Sequence, residues 1–263
     1  MPKSLSPLVA GSSCPPTQAN PSFPPGMQEN SLHRSLKNYF AGDSGQQEVW
    51  VDGYWIDVVH EELLIEVQTR SFSSIKNKLF VLMQNHPLIL VHPIPVEKWI
   101  IRNTAGGEER ISRRKSPRQG RIEHVFNELI RFPEYISHPN FSICLVFTQE
   151  EEIRCLDGRG SWRRKGASIS DRKLLKILST RMLASPNDFQ ALLPVSLGQT
   201  FTNQELAKAL GIRPALARKM TYCLRKMNVL EVDGKRQREL LYKVLQPTYN
   251  LLPIDTLGEN HEQ

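Results

Sequence analysis

Two short apolar runs, Tyr54-Trp55-Ile56-Asp57-Val58-Val59 and Leu63-Leu64-Ile65-Glu66-Val67-Gln68, carry polar residues where strands are otherwise apolar. Only His60, Glu61 and Glu62 separate them, so the pair reads as a tight hairpin. Side chains alternate faces along a strand, which sets Glu66 and Gln68 on one face and Ile65 and Val67 on the other. Antiparallel pairing then brings Asp57 alongside Glu66. Two carboxylates so placed repel each other and resist desolvation, and a divalent cation would relieve both costs. Hard, oxygen-liganded Mg²⁺ or Mn²⁺ suits them better than zinc, which would draw on His or Cys.

The elements that must position these residues are legible on both sides. Glu29 to Phe40 reads as a helix with His33 and Lys37 along the face of Glu29. Ser73 to Asn85 reads as a second helix, and Leu88 to His92 as a buried strand. In this order, residues 28–95 resemble the PD-(D/E)XK, or restriction-endonuclease-like, nuclease superfamily. Its core runs helix, three-stranded meander, helix, strand, with an Asp in the second strand and Glu-x-Lys in the third. The resemblance implies that Asp57, Glu66 and the Val67 carbonyl hold Mg²⁺ or Mn²⁺, with Glu29 helping directly or through water. Gln68 stands where the family has lysine. It can orient a water but brings no charge. Lys76 or Lys78, early in the following helix, is expected to replace that charge, with Lys37 a third candidate. Two other readings stay open: a nuclease fold that only binds, and a plain hairpin with a chance acid pair.

The rest of the chain favours a polyanionic partner. A net charge of +7 and a pI near 9.3 suit nucleic acid through counterion release. No apolar run approaches a membrane span and no signal-peptide h-region can be read, so no membrane partner is expected. Cys14, Cys144, Cys155 and Cys223 lie far apart, which points to reduced intracellular thiols, with Cys144 and Cys223 in the core. Residues 1–27, rich in Pro and Ser, read as a disordered tail.

Strands are expected at Lys98–Arg102 and Asn140–Thr148, with a helix at His124–Arg131. Two basic loops flank them. One carries Arg113, Arg114, Lys115 and Arg118; the other carries Trp162, Arg163, Arg164 and Lys165. Arg and Lys would meet phosphates, and Trp162 could stack on a base; a merely solvated role is the alternative for each.

The last region begins with an expected helix at Arg172–Leu178, capped by Asp171. A helix opened by Thr202 and Glu205 as a capping box follows, then one at Arg213–Met227 and a strand pair around a basic turn. This pattern resembles the winged helix-turn-helix family, whose second helix enters the major groove. Arg218, Lys219, Tyr222, Arg225 and Lys226 are the implied contacts there, with Lys235, Arg236 and Arg238 in the wing; protein binding is the alternative. The region reads as able to fold alone. The fold class expected is therefore α/β: a restriction-endonuclease-like mixed sheet flanked by helices (28–168), a winged helix (169–248) and tails at 1–27 and 249–263. The function expected is that of a Mg²⁺- or Mn²⁺-dependent deoxyribonuclease acting on duplex or branched DNA, a homodimer being open. Its location would be cytoplasmic and nucleoid-associated, or nuclear in a eukaryote. A non-enzymatic DNA-binding regulator and a winged-helix adaptor are the rivals.

Overall fold

The structure, a computed structural model, describes residues 29–107 and 109–245. The expected tails at 1–27 and 249–263, and Cys14, lie outside them. Helix α1 (Ser31–Ala41) leads into a meander of β1 (Gln46–Val51), β2 (Tyr54–His60) and β3 (Leu63–Val67). Helix α2 (Lys76–Leu82), entered through a 3₁₀ turn at Phe72–Ser74, carries the chain back to β4 (Leu88–Asn103). Strand β5 (Arg110–Lys115) precedes short helical turns and α3 (Phe126–Leu129). Strands β6 (Phe141–Cys155) and β7 (Ser168–Leu183) follow. Among the described residues these strands form one seven-stranded mixed sheet in the order β1-β2-β3-β4-β6-β7, with β5 on the outer half of β4. Strand β3 runs parallel to β4, and β4 parallel to β6. The fold is α/β with a large mixed sheet flanked by helices.

One apolar cluster, Leu32, Leu36, Val58, Ile65, Val67, Val91 and Val146, fixes α1 on one face of the sheet. A larger cluster covers the other face with Phe72, Leu79, Leu82, Phe126, Phe132 and Phe141. The chain then forms α4 (Pro186–Gln190), β8 (Thr200–Phe201), α5 (Asn203–Leu210), α6 (Pro214–Lys226), β9 (Leu230–Arg236) and β10 (Glu239–Val244). Strands β8, β10 and β9 make a separate three-stranded sheet. The capping box is present as expected: Glu205 N–H donates to Thr202 Oγ1 and Thr202 N–H to Glu205 Oε2. Gly211 ends α5 in the left-handed region that favours glycine.

Three expectations are corrected here. The helix expected at Arg172–Leu178 is part of strand β7. Its apolar residues fall at 174, 175, 177 and 178, a helical spacing. The register against β6 skips Leu175 and Leu178, so Leu174 and Ile177 pair inward three residues apart. Two β-bulges thus turn a period of two into an apparent period of three. Asp171 does cap a helix, but a remote one: its carboxylate accepts from Ser31 N–H at 2.9 Å and Ser31 Oγ–H at 2.5 Å, opening α1. Second, the basic segment from Arg110 is a strand, because it pairs along Trp99–Asn103 of β4. Third, residues 168–183 close the large sheet, and Leu216, Ala217, Met220 and Leu224 of α6 share one core with Phe126 and Phe189. A fragment starting at 168 would tear out a sheet strand and bare that core, so independent folding is not supported.

Candidate active site

The hairpin forms as expected, with Val58 opposite Ile65 and Val59 opposite Leu64. Continuing that register sets Asp57 beside Glu66. Asp57 Oδ2 accepts from the Val67 N–H at 2.8 Å. The two carboxylates differ sharply in their partners. Burial pushes the Asp57 carboxyl up, but the hydrogen bond and charge of His33, the Val67 N–H and the Lys78 charge together hold it below the ordinary carboxylate range. Burial, and then the charge of Asp57, push Glu66 up to about 7 against the pull of Lys78. The Lys78 Nζ lies 2.6 Å from Glu66 Oε2, an ion pair to this buried oxygen. Lys78 also donates to the Trp55 carbonyl at 2.5 Å.

Helix α1 supplies a second layer. His33 Nε2 sits 3.2 Å from Asp57 Oδ2, and its Nδ1 sits 2.5 Å from Glu29 Oε1. Burial alone would lower the His33 pKa; the hydrogen bond and charge of Asp57, then those of Glu29, raise it to about 9. The imidazolium therefore bridges two carboxylates. Lys37 Nζ lies 3.0 Å from Glu29 and 2.7 Å from Glu48. Glu29 thus reaches Asp57 through His33. The sequence set His33 on the face of Glu29 but gave it no task; its bridging position depends on how α1 docks across β2, which no local pattern encodes.

A folded pKa near 9 against an ordinary 6.5 means that His33 contributes stability fully below about pH 6.5 and loses it as pH rises through 9. The metal-free protein should melt at lower temperature at pH 10 than at pH 6.5, by up to about 3 kcal/mol of stability. His33→Gln should flatten that difference in a thermal scan. An equal drop in the variant would remove His33 as its source. Glu66 titrates in a lower window, about 4.5 to 7.

Of the expected lysines, Lys78 is brought to the carboxylates, whereas Lys76 makes no ion pair among the described residues. Gln68 lies just beyond β3. Its amide donates to Ser74 Oγ at 3.1 Å and its oxygen accepts from Arg70 N–H at 3.2 Å, so the side chain is tied into the following turn. Among the described residues no three His, Cys, Asp or Glu side chains are gathered as a metal cluster. The chemistry of the donors still suits a hard cation: two facing carboxylates on adjoining strands. Mg²⁺ commonly uses one or two carboxylates and fills the remainder with water and substrate oxygens.

A third layer was missed from the sequence. Arg172 donates through Nε and Nη2 to Glu150 Oε2 at 3.2 and 2.7 Å, and through Nη1 to the Thr69 carbonyl at 3.0 Å. Thr148 Oγ1 donates to Glu150 Oε1 at 2.6 Å. With Asp171 on Ser31 and Asn30 on Thr69 at 3.3 Å, β7 latches the start of α1 to the segment just past Gln68.

The basic candidates fall into different environments. Arg113 and Lys115 pair with Glu151 and Glu97 and lie over the Trp99 ring at 5.0 and 5.4 Å. Arg114 and Arg118 are exposed. Arg218, Tyr222, Arg225 and Lys226 form the exposed side of α6, and Lys235 is exposed on β9. Lys219 turns inward and donates to Asn127 at 2.9 Å, while Arg236 pairs with Glu205 at 2.6 Å.

Residues 30–184 match the profile of a family described as "Domain of unknown function (DUF8091)". The chain belongs to that family. The match ends one residue after β7, so the DUF8091 unit coincides with the large sheet and carries every residue of the site from Asn30 onward. A protein of Treponema pallidum (strain Nichols), named "Uncharacterized protein", is 31% identical over 228 residues, 86% of this chain and 89% of the relative. A span of that share reaches past the DUF8091 unit into α5 and α6. No solved structure matches. No helix among the described residues is long and apolar enough to cross a membrane.

Proposed function

We propose that this protein is a metal-dependent nuclease of the restriction-endonuclease-like kind that binds DNA through a C-terminal winged helix. The observation that carries the reading is the order α1, β1-β2-β3 meander, α2, β4, with Asp57 and Glu66 meeting on β2 and β3 and a lysine from α2 beside them. Asp57, Glu66 and main-chain oxygen would hold Mg²⁺ or Mn²⁺, which when bound acidifies a water and offsets phosphate charge. The chain's own residues do the remainder. Lys78 brings the cationic charge that Gln68 lacks. His33, clamped by Glu29, orients the Asp57 carboxylate. Burial keeps water from screening these charges. In the C-terminal region, α5, the turn at Gly211, α6 and the β9–β10 hairpin follow the winged-helix order. Arg218, Tyr222 and Arg225 on the outer side of α6 would face the duplex.

The test is direct. The purified protein should nick or cut plasmid, single-stranded or branched DNA with Mg²⁺ or Mn²⁺ and stop in chelator. Asp57→Ala and Glu66→Ala should each lose activity by about 10³-fold or more. Cleavage that survives chelation, or either substitution, would overturn the site.

One observation favours a second reading, a DNA-binding protein without chemistry. His33 and Lys78 already neutralise the two carboxylates, and the Gln68 amide is spent on Ser74 and Arg70. Calorimetry separates the two readings: Mn²⁺ binding that depends on Glu66 supports the nuclease, and its absence supports the second.

A further inference from the structure

Strands β4, β6 and β7 run well past the end of β3 and, with β5, form a four-stranded arm. At its far end Arg110, Asn103, Cys155 and Ser168 lie in one cross-strand row. The loops joining β4 to β5 and β6 to β7 therefore leave the same end. The second loop holds Trp162, 82% exposed, with the Arg163 guanidinium 5.5 Å from its ring centre. This loop is firmly built. Gly160 N–H donates to the Gly166 carbonyl at 2.7 Å, Lys165 N–H to Trp162 at 2.9 Å and Ala167 N–H to Arg164 at 3.1 Å. Ser168 Oγ–H and Arg159 N–H both donate to Asp157. A Cβ on Gly160 would lie 1.7 Å from the Ala167 carbonyl oxygen, so only glycine closes the loop.

A large apolar ring held in water on a rigid loop gives the fold nothing, since burying it would stabilise. Its surroundings indicate what covers it. Residues 156–167 hold Arg159, Arg163, Arg164 and Lys165 against one carboxylate, Asp157. That balance fits a polyanion. Leu156 is the other large apolar side chain of the loop, too little apolar surface for insertion into a lipid layer. A single cation-flanked indole instead matches the stacking platforms that take unpaired bases.

We propose that Trp162, at the tip of the arm, is a stacking site for an unpaired base, so that the substrate class is DNA with disrupted pairing. The proposal rests on the nucleic-acid part of the reading above and not on its metal chemistry. The experiment uses the full chain in chelator with two labelled 30-mer duplexes, one fully paired and one with three unpaired thymines. The wild-type protein should bind the bulged duplex about tenfold more tightly, with quenching of tryptophan emission, since stacking contributes that order per base. Trp162→Ala, which removes a side chain from solvent, should erase both the preference and the quenching. Equal affinity for the two duplexes, or quenching unchanged in Trp162→Ala, overturns the proposal. So does quenching by phosphatidylserine vesicles but not by DNA. A protein that stacks the bulge yet never cleaves with metal loses only the nuclease reading; one that cleaves without this preference loses only the stacking site.

Discussion

Arg172→Ala is expected to lower the unfolding free energy by about 3–5 kcal/mol, which would leave a domain of ordinary stability barely folded. The Glu150 side chain is fully buried, and Arg172 is its charged partner through two nitrogens. Removing the guanidinium strands a carboxylate in the sheet interior. It also frees the Thr69 carbonyl, the join between β7 and the end of β3. Urea titration followed by circular dichroism reads the loss as a shift in midpoint. Replacing both partners, Arg172→Met with Glu150→Gln, should recover much of it, because the cost lies in the unpaired charge rather than in the absence of an ion pair. A single variant within about 1 kcal/mol of wild type would show that Glu150 finds another partner or protonates cheaply.

The second large effect is expected at Lys78. On the nuclease reading, Lys78→Met should reduce metal-dependent cleavage by about 10²- to 10³-fold, the usual cost of one preorganised charge at a reacting phosphate. DNA affinity should hold, because Lys78 is mostly buried between β2 and α2 and its partners are Glu66 and the Trp55 carbonyl. Lys78→Arg, which keeps the charge, should retain more activity and guards against a simple folding defect. Lys76→Ala should cleave close to the wild-type rate. Wild-type turnover in Lys78→Met would remove this lysine from the mechanism.

The hairpin, both flanking helices of the site and the capping box of α5 were legible because each is written in a local pattern: alternation, helical spacing, or a Thr–Glu pair three residues apart. Lys78 was legible too, as a charge one turn into a helix that must return over the sheet. His33 was visible only as a neighbour of Glu29; its span to Asp57 arises when α1 settles on the cluster of Leu32, Leu36 and Val58. The Arg172–Glu150 pair was out of reach, since the helical spacing of β7 hid the strand and its bulges. The basic segment at Arg110–Lys115 looked like a loop because charge dominates its composition. Yet Trp99, which carries two of those cations on its ring, could have marked a cross-strand partner.

If the protein binds nucleic acid as proposed, the length of β4 fixes a distance along it. From Val91, level with the end of β3, to Asn103 at the tip, a strand rising about 3.3 Å per residue covers roughly 40 Å. One turn of duplex is about 34–36 Å. On the DNA-binding reading proposed above, a double helix lying along the arm would meet the loop of Trp162 more than one turn from the carboxylates. The length of β4 would then set the spacing between the two places at which that duplex is held.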